Sequence, residues 1–178
     1  MLKTKSGLKR KTALKATTSL KVTSKKRKKS PKTLLKKSAW EWFGRYVRLR
    51  DSEFKDDGWY GTCITCSKTG RVAWIDDNGK LRFIKGWDAG HYISRGNWYL
   101  RHDEENVNLQ CSFHCNKMKS GNLEKYKPAL DLKYGNGTRK RLDKDARDNP
   151  IYNPPSEELA QVVHDAKEYI NYITEHVV

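Results

Sequence analysis

Apolar positions recur at helical spacing near both ends of the folded part of the chain and at strand spacing in its middle. The stripe Phe43, Tyr46, Val47, Arg50, Phe54 follows Ser38 and Glu41 at capping-box spacing, which predicts an amphipathic helix over residues 39–54. Leu159, Val162, Val163, Ala166, Tyr169, Ile170, Ile173 and Val177 mark a second helix, capped at Ser156. That stripe implies core or dimer-interface packing and no chemistry. Between the two, Arg71–Ile75 and Leu81–Ile84 flank Asp76-Asp77-Asn78-Gly79-Lys80, and Asn-Gly between β-type runs predicts a hairpin. Trp87–Ile93 reads as a further short strand and residues 94–105 as a polar loop. Cys115 to about Tyr126 reads as a helix that Pro128 bends or ends. Asn149-Pro150 and Pro154-Pro155 mark a connection before the last helix, and there are no internal repeats.

Charge changes the reading of the first 37 residues, which are Lys, Thr, Ser and Leu without periodicity, interrupted by Pro31. Residues 1–40 carry fifteen Lys or Arg and no acidic residue, whereas the other 22 basic residues face 21 acidic ones. The formal charge of +16 is therefore concentrated in one arm. Like charge with few bulky apolar residues predicts disorder. Its functional reading is neutralisation of phosphates, which gives affinity without sequence specificity; a solubilising tail is the competing reading. Lys25, Lys26, Arg27, Lys28 and Lys29 form the densest run and also mimic a nuclear-localisation signal. The chain then divides into a basic arm (1–37), a central domain (38–136), and a linker with a C-terminal amphipathic helix (137–178).

Hydrophobic residues make up only 36% of the chain, so the core is small and calls for a metal or a partner. No apolar run approaches the roughly 20 residues of a membrane span. The start lacks the apolar stretch of a secretory signal, so a reducing cytoplasm is expected, where cysteines bind metal more readily than they pair. Cys63-x-x-Cys66 and Cys111-x-x-x-Cys115 bring all four cysteines of the chain into two close pairs. Tetrahedral Zn²⁺ takes four such thiolates and staples a small fold shut. The second pair has one residue more than the usual two between its cysteines, and His114 stands at the two-residue spacing, so His114 is an alternative to Cys115.

Around these cysteines lies a second pattern: Asp88-Ala89-Gly90-His91-Tyr92, then Asn106-Val107-Asn108-Leu109-Gln110-Cys111, then Cys115-Asn116. In this the sequence resembles the HNH (ββα-metal) endonuclease superfamily. Trp87, Leu100-Arg101, Ser120-Gly121-Asn122, Tyr126, Leu130 and Tyr134-Gly135 narrow the resemblance to the phage NinG/Rap recombination endonucleases, over about residues 38–136. It implies an α+β fold with a small ββα core, zinc knuckles and flanking helices. It implies His91 as the general base that takes a proton from water, since neutral imidazole can do so near pH 7. It implies Asn116 as a ligand of a catalytic Mg²⁺ or Mn²⁺ and favours Cys115 as the fourth zinc ligand. Asn106 would fix the loop and orient His91, with Asn108 as a substitute. Many relatives place an Asp or His directly before the catalytic His, where this chain has Gly90. Asp88 is the nearest carboxylate, and a local bulge in the strand would bring it to the ion.

Arg95, Lys117 and Lys119 flank this region as phosphate contacts, and His102, His164 and His176 have no assigned role. Trp40 and Trp42 are candidates for stacking on bases or for the core. The resemblance implies branched DNA such as Holliday junctions or D-loops as substrate, a bacterial host cytoplasm as location, and a possible homodimer. Two other readings compete: a zinc-stabilised DNA- or RNA-binding module without catalysis, and a structural protein whose arm docks on RNA or another acidic partner.

Overall fold

The computed structural model describes residues 28–176. Lys25, Lys26, Arg27 and Val177 lie outside the described residues. Helix α1 (Pro31–Arg50) comes first, then a four-stranded antiparallel sheet of β1 (Ser52–Lys55), β2 (Gly58–Thr62), β3 (Thr69–Ile75) and β4 (Leu81–Phe83) in sequence order. Strands β5 (Trp87–His91) and β6 (Val107–Cys111) form a separate antiparallel pair. A π-helix (Ser112–Lys117) follows β6, and α2 (Leu123–Tyr134), α3 (Thr138–Asp148) and α4 (Ser156–His176) complete the chain. The architecture is mixed α+β with small sheets. Among the described residues, no helix is long and apolar enough to cross a membrane.

Several elements depart from the sequence expectation for identifiable reasons. Helix α1 begins at Pro31, so residues 31–37 are helical and not part of a disordered arm. Ser30 caps it by accepting a hydrogen bond from the Thr33 N–H at 3.2 Å, and Pro31 at the first position loses no internal bond. The helix stops at Arg50. Phe54 instead belongs to β1 and packs edge-on against Trp59 of β2, across a two-residue turn at Asp56-Asp57. Pro128 neither ends nor confines α2, which runs on to Tyr134. It lies in the second turn, where its missing N–H forfeits one bond to the exposed Glu124. Helix α3 falls in the expected linker. Its only apolar residues are Leu142 and Ala146. Leu142 is fully buried, and the Arg141–Asp145 and Lys144–Asp148 pairs at i, i+4 lace the exposed side. The expected hairpin is present, with Ile75 opposite Leu81.

Four apolar clusters hold these layers together. Phe43 and Val47 of α1 meet Ala89 of β5 and Val107 of β6. Leu49 joins Trp59, Ala73, Ile170 and Ile173, so the stripe of α4 is used against α1 and the larger sheet. Tyr92, Leu100, Tyr126, Leu130 and Leu142 form a third cluster, and Val72, Trp87 and Leu109 surround the cysteines in the fourth. Strands β5 and β6 thus pack against α1 through Ala89 and Val107, and against the cysteine cluster through Trp87 and Leu109.

Behind β6 lies a buried ionic network. Arg50 pairs with Asp51 through two bonds of 2.9 and 3.0 Å, and also donates to the Val107 carbonyl. Asp51 accepts from the Leu109 N–H and from Lys133, which reaches Asn108 as well. Asn108 is therefore committed to fastening α2 onto β6 and is not a substitute for Asn106 at the site.

Candidate active site and metal centre

Cys63 and Cys66 sit on the turn between β2 and β3, while Cys111 ends β6 and Cys115 lies in the π-helix. Their four Sγ atoms all lie within 4.8 Å of one another, with Cys66 and Cys111 3.7 Å apart, and none is in a disulfide. Tetrahedral zinc with Zn–S bonds near 2.3 Å requires S···S edges of about 3.8 Å, so the donor set fits such an ion. The Cys111 N–H points at the Cys63 sulfur at 3.3 Å. Burial pushes the Cys63 thiol up, but bonds from the Thr65 hydroxyl and from backbone N–H groups outweigh it and bring it down to about 7. His114 is exposed and outside the cluster, so Cys115 completes the set. The extra residue between Cys111 and Cys115 falls where the helix adopts the wider π turn, the usual way to absorb an insertion.

Beside β5, between α1 and the π-helix, runs a groove of about 830 Å³. Trp40, Gly44, Arg45 and Arg48 of α1 form one wall. Asp88 and His91 of β5 form the floor, and Arg95, Asn116 and Lys117 form the far side. Cations outnumber the acidic groups Glu41 and Asp88 in this lining, which suits an anionic ligand. Burial lowers the Arg48 guanidinium to about 10, against the pull of Asp88, and leaves it charged at neutral pH.

Asp88 and Asn116 are in direct contact: the Asn116 amide Nδ2–H donates to Asp88 Oδ2 at 2.9 Å. This leaves one carboxylate oxygen and the amide oxygen as neighbouring donors. No bulge is needed to bring them together, because β5 pairs with β6 in continuous register from Trp87–Cys111 to His91–Val107. Asp88 and His91 both line the groove, so residues from both faces of β5 reach it. Among the described residues, only the four cysteines form a group of three or more His, Cys, Asp or Glu ligands.

His91 ends β5. Its Nε2 lies 3.1 Å from the Arg101 carbonyl, so in the neutral ring Nε2 donates and Nδ1 keeps its lone pair. Trp40 lies against the imidazole with ring centroids 4.8 Å apart. Burial, together with the nearby Arg101 and Arg95 charges, holds the imidazole down to about 4, with the bond to the Arg101 carbonyl opposing. It is neutral at pH 7.

Asn106 is completely buried and does not line the groove. Its side chain accepts from the Ile93 N–H at 2.6 Å and donates to the Ile93 and Leu100 carbonyls. It closes the 92–106 loop and fastens Leu100, the residue before the Arg101 carbonyl that His91 contacts. Lys28, Lys29 and Lys119 are exposed and away from the groove lining, whereas Arg95 and Lys117 are part of it.

Several residues were not legible as site residues. Gly44 and Arg48 share a face with Trp40, already a candidate, at i, i+4, i+8, a signal hidden beside the apolar stripe of the same helix. Gln110 is fully buried; its Nε2 donates to Gly121 O at 2.7 Å and Thr65 Oγ1 at 3.2 Å. It ties the first cysteine turn to the segment after the π-helix. His102, which had no assigned role, is packed edge-on against Phe43 and Trp98, with its Nε2 buried and unpartnered.

A family model described as Bacteriophage Lambda NinG protein matches residues 2–174. Proteins named ninG from Escherichia phage 933W, Enterobacteria phage VT2-Sa and Salmonella phage P22 are each 32% identical over 106 residues. The match covers 59% of this chain and 42% of each relative, so it spans less than half the length of those proteins. No solved structure matches significantly.

Proposed function

The chain belongs to the bacteriophage lambda NinG protein family, and on that footing we propose that it is a metal-dependent DNA endonuclease of the HNH kind. The supporting observation is the convergence of His91, Asp88 and Asn116 on one cation-lined groove. Strands β5 and β6 followed by the π-helix supply the ββα order, with His91 closing the first strand and Asn116 on the helix. The substrate proposed is branched DNA, since a groove that grips phosphates holds a junction without reading bases.

The donor set at Asp88 and Asn116 fits a hard divalent cation, which keeps several waters and takes few protein ligands. Asp88 and Asn116 would hold Mg²⁺ or Mn²⁺ there, and the ion would supply charge neutralisation for the scissile phosphate. His91 Nδ1 accepts the proton of the attacking water, while the Arg101 carbonyl fixes the ring's tautomer. Arg45, Arg48, Arg95 and Lys117 hold the flanking phosphates. A base held near 4 is weak in the free protein, but a bound phosphate beside it favours the imidazolium and raises its basicity.

The test is incubation of zinc-loaded protein with a four-way junction and a matched linear duplex, in Mg²⁺ or EDTA. Metal-dependent cutting that His91→Ala abolishes with folding intact supports the proposal. Junction binding without cutting under any divalent ion overturns it in favour of a non-catalytic binding module.

A further inference from the structure

The π-helix and the turn after it expose apolar side chains that none of the four clusters uses. Phe113 is 70% exposed, Met118 67% and Leu123 42%. Single exposed apolar residues are ordinary, but here three fall within eleven positions of the segment that carries Asn116. The Met118 N–H bonds to the Phe113 carbonyl at 2.9 Å, so these two lie on successive turns of one short helix. Exposed Lys117 and Lys119 flank Met118, and Lys125 and Lys127 follow Leu123, against the single acid Glu124. Lys117 and Leu123 also line the groove, so this segment is continuous with the proposed phosphate track.

Exposed apolar side chains on a segment this rich in lysine suit a polyanion that also offers apolar faces. Nucleic acid meets that description where its base stack is open. An intact duplex hides its base faces, and prising a step apart costs a few kcal/mol. At a branch point the step is already interrupted, and a ring inserted there gains stacking without that cost.

We propose that Phe113 and Met118 form an apolar wedge that enters an open base step at a DNA branch point, beside the phosphate gripped in the groove. The inference rests on the reading that DNA occupies the groove, and it supplies a physical source for preference between branched and linear DNA. Leu123 extends the wedge toward Asn116, and Lys117 and Lys119 hold the backbone on either side of the opened step.

The test uses the full-length zinc-loaded protein in EDTA, so that binding is read apart from cutting. A four-way junction carries 2-aminopurine at the branch, and a matched linear duplex carries it at the same sequence position. The wild-type protein should raise fluorescence at the branch and bind the junction roughly 5- to 150-fold more tightly than the duplex, the range that stacking one base corresponds to. Phe113→Ala/Met118→Ala alters only exposed side chains. It should lose the fluorescence rise and most of the preference, with duplex affinity unchanged within about 2-fold. Phe113→Trp should retain both. An unchanged fluorescence rise and preference in the double variant overturns the wedge, as does a wild-type protein that never disturbs the branch base. A changed oligomeric state with unchanged junction binding assigns these side chains to contact between copies and overturns it too. Loss of cutting by an otherwise normal junction binder leaves the wedge intact and counts against the nuclease reading alone.

Discussion

Replacing Gly90 by alanine puts the coupling between the cysteine cluster and the groove to a quantitative test. A Cβ at position 90 would lie 2.1 Å from Gln110 Oε1, 2.7 Å from its Cδ and 3.0 Å from its Cγ. The end of a glutamine normally yields, but this one is fully buried and anchored to Gly121 and Thr65. Moving it breaks two hydrogen bonds and strands buried polar groups, at about 1–3 kcal/mol for each group left unpaired. Alanine recovers at most about 1 kcal/mol over glycine in a strand. The net loss should be about 2–4 kcal/mol, or roughly 4–16 °C in Tm for a chain of this size. Urea unfolding of the zinc-loaded protein measures it, and a double-mutant cycle with Gln110→Ala isolates the clash. On the Gln110→Ala background, Gly90→Ala should be neutral within about 0.5 kcal/mol, or slightly stabilising. Wild-type stability in the single variant, or an equal cost on both backgrounds, refutes the reasoning. A further consequence is that a carboxylate placed at residue 90 would clash with Gln110, whereas Asp88 lines the groove as it stands.

Three other outcomes follow from the same structure. Asp51→Ala leaves Arg50 and Lys133 without their carboxylate and should cost about 3–5 kcal/mol, read as a lower midpoint in urea. Burial and nearby cationic Arg101 hold His102 down to about 4, as burial chiefly does His91, so the unfolded chain gains protons that the folded one refuses. Stability should therefore decline as pH falls from about 6.5 toward about 4. His102→Phe should flatten that limb in thermal melts, and an unchanged limb would count against the buried neutral ring. Chelation of zinc, or Cys111→Ser, should release the turn at Cys63 and lower Tm sharply, with one equivalent of zinc found by metal analysis in the folded wild type.

The cysteine cluster was readable because close cysteine pairs report a tetrahedral site regardless of the fold around them. The β3–β4 hairpin was readable through Asn78-Gly79. Helix α3 was not, because its stability comes from tertiary burial of Leu142 and from ion pairs, neither of which leaves an apolar stripe. The early start of α1 was hidden because its charge composition outweighed a local Ser-Pro cap. Asp88 stood out only as the nearest carboxylate to His91. The contact to Asn116 and the cationic wall from α1 depend on how distant segments pack, and local sequence pattern does not encode that.

Chemical rescue of His91→Gly tests the central claim most directly. Single-turnover cutting of a four-way junction is measured in Mg²⁺ with and without added imidazole, on protein whose zinc content and fold match the wild type. A base at His91 predicts that the variant is inert alone and recovers cutting as imidazole rises, with no recovery in EDTA. Full activity of the variant without imidazole, or no cutting by the wild-type protein in any divalent ion, would contradict it.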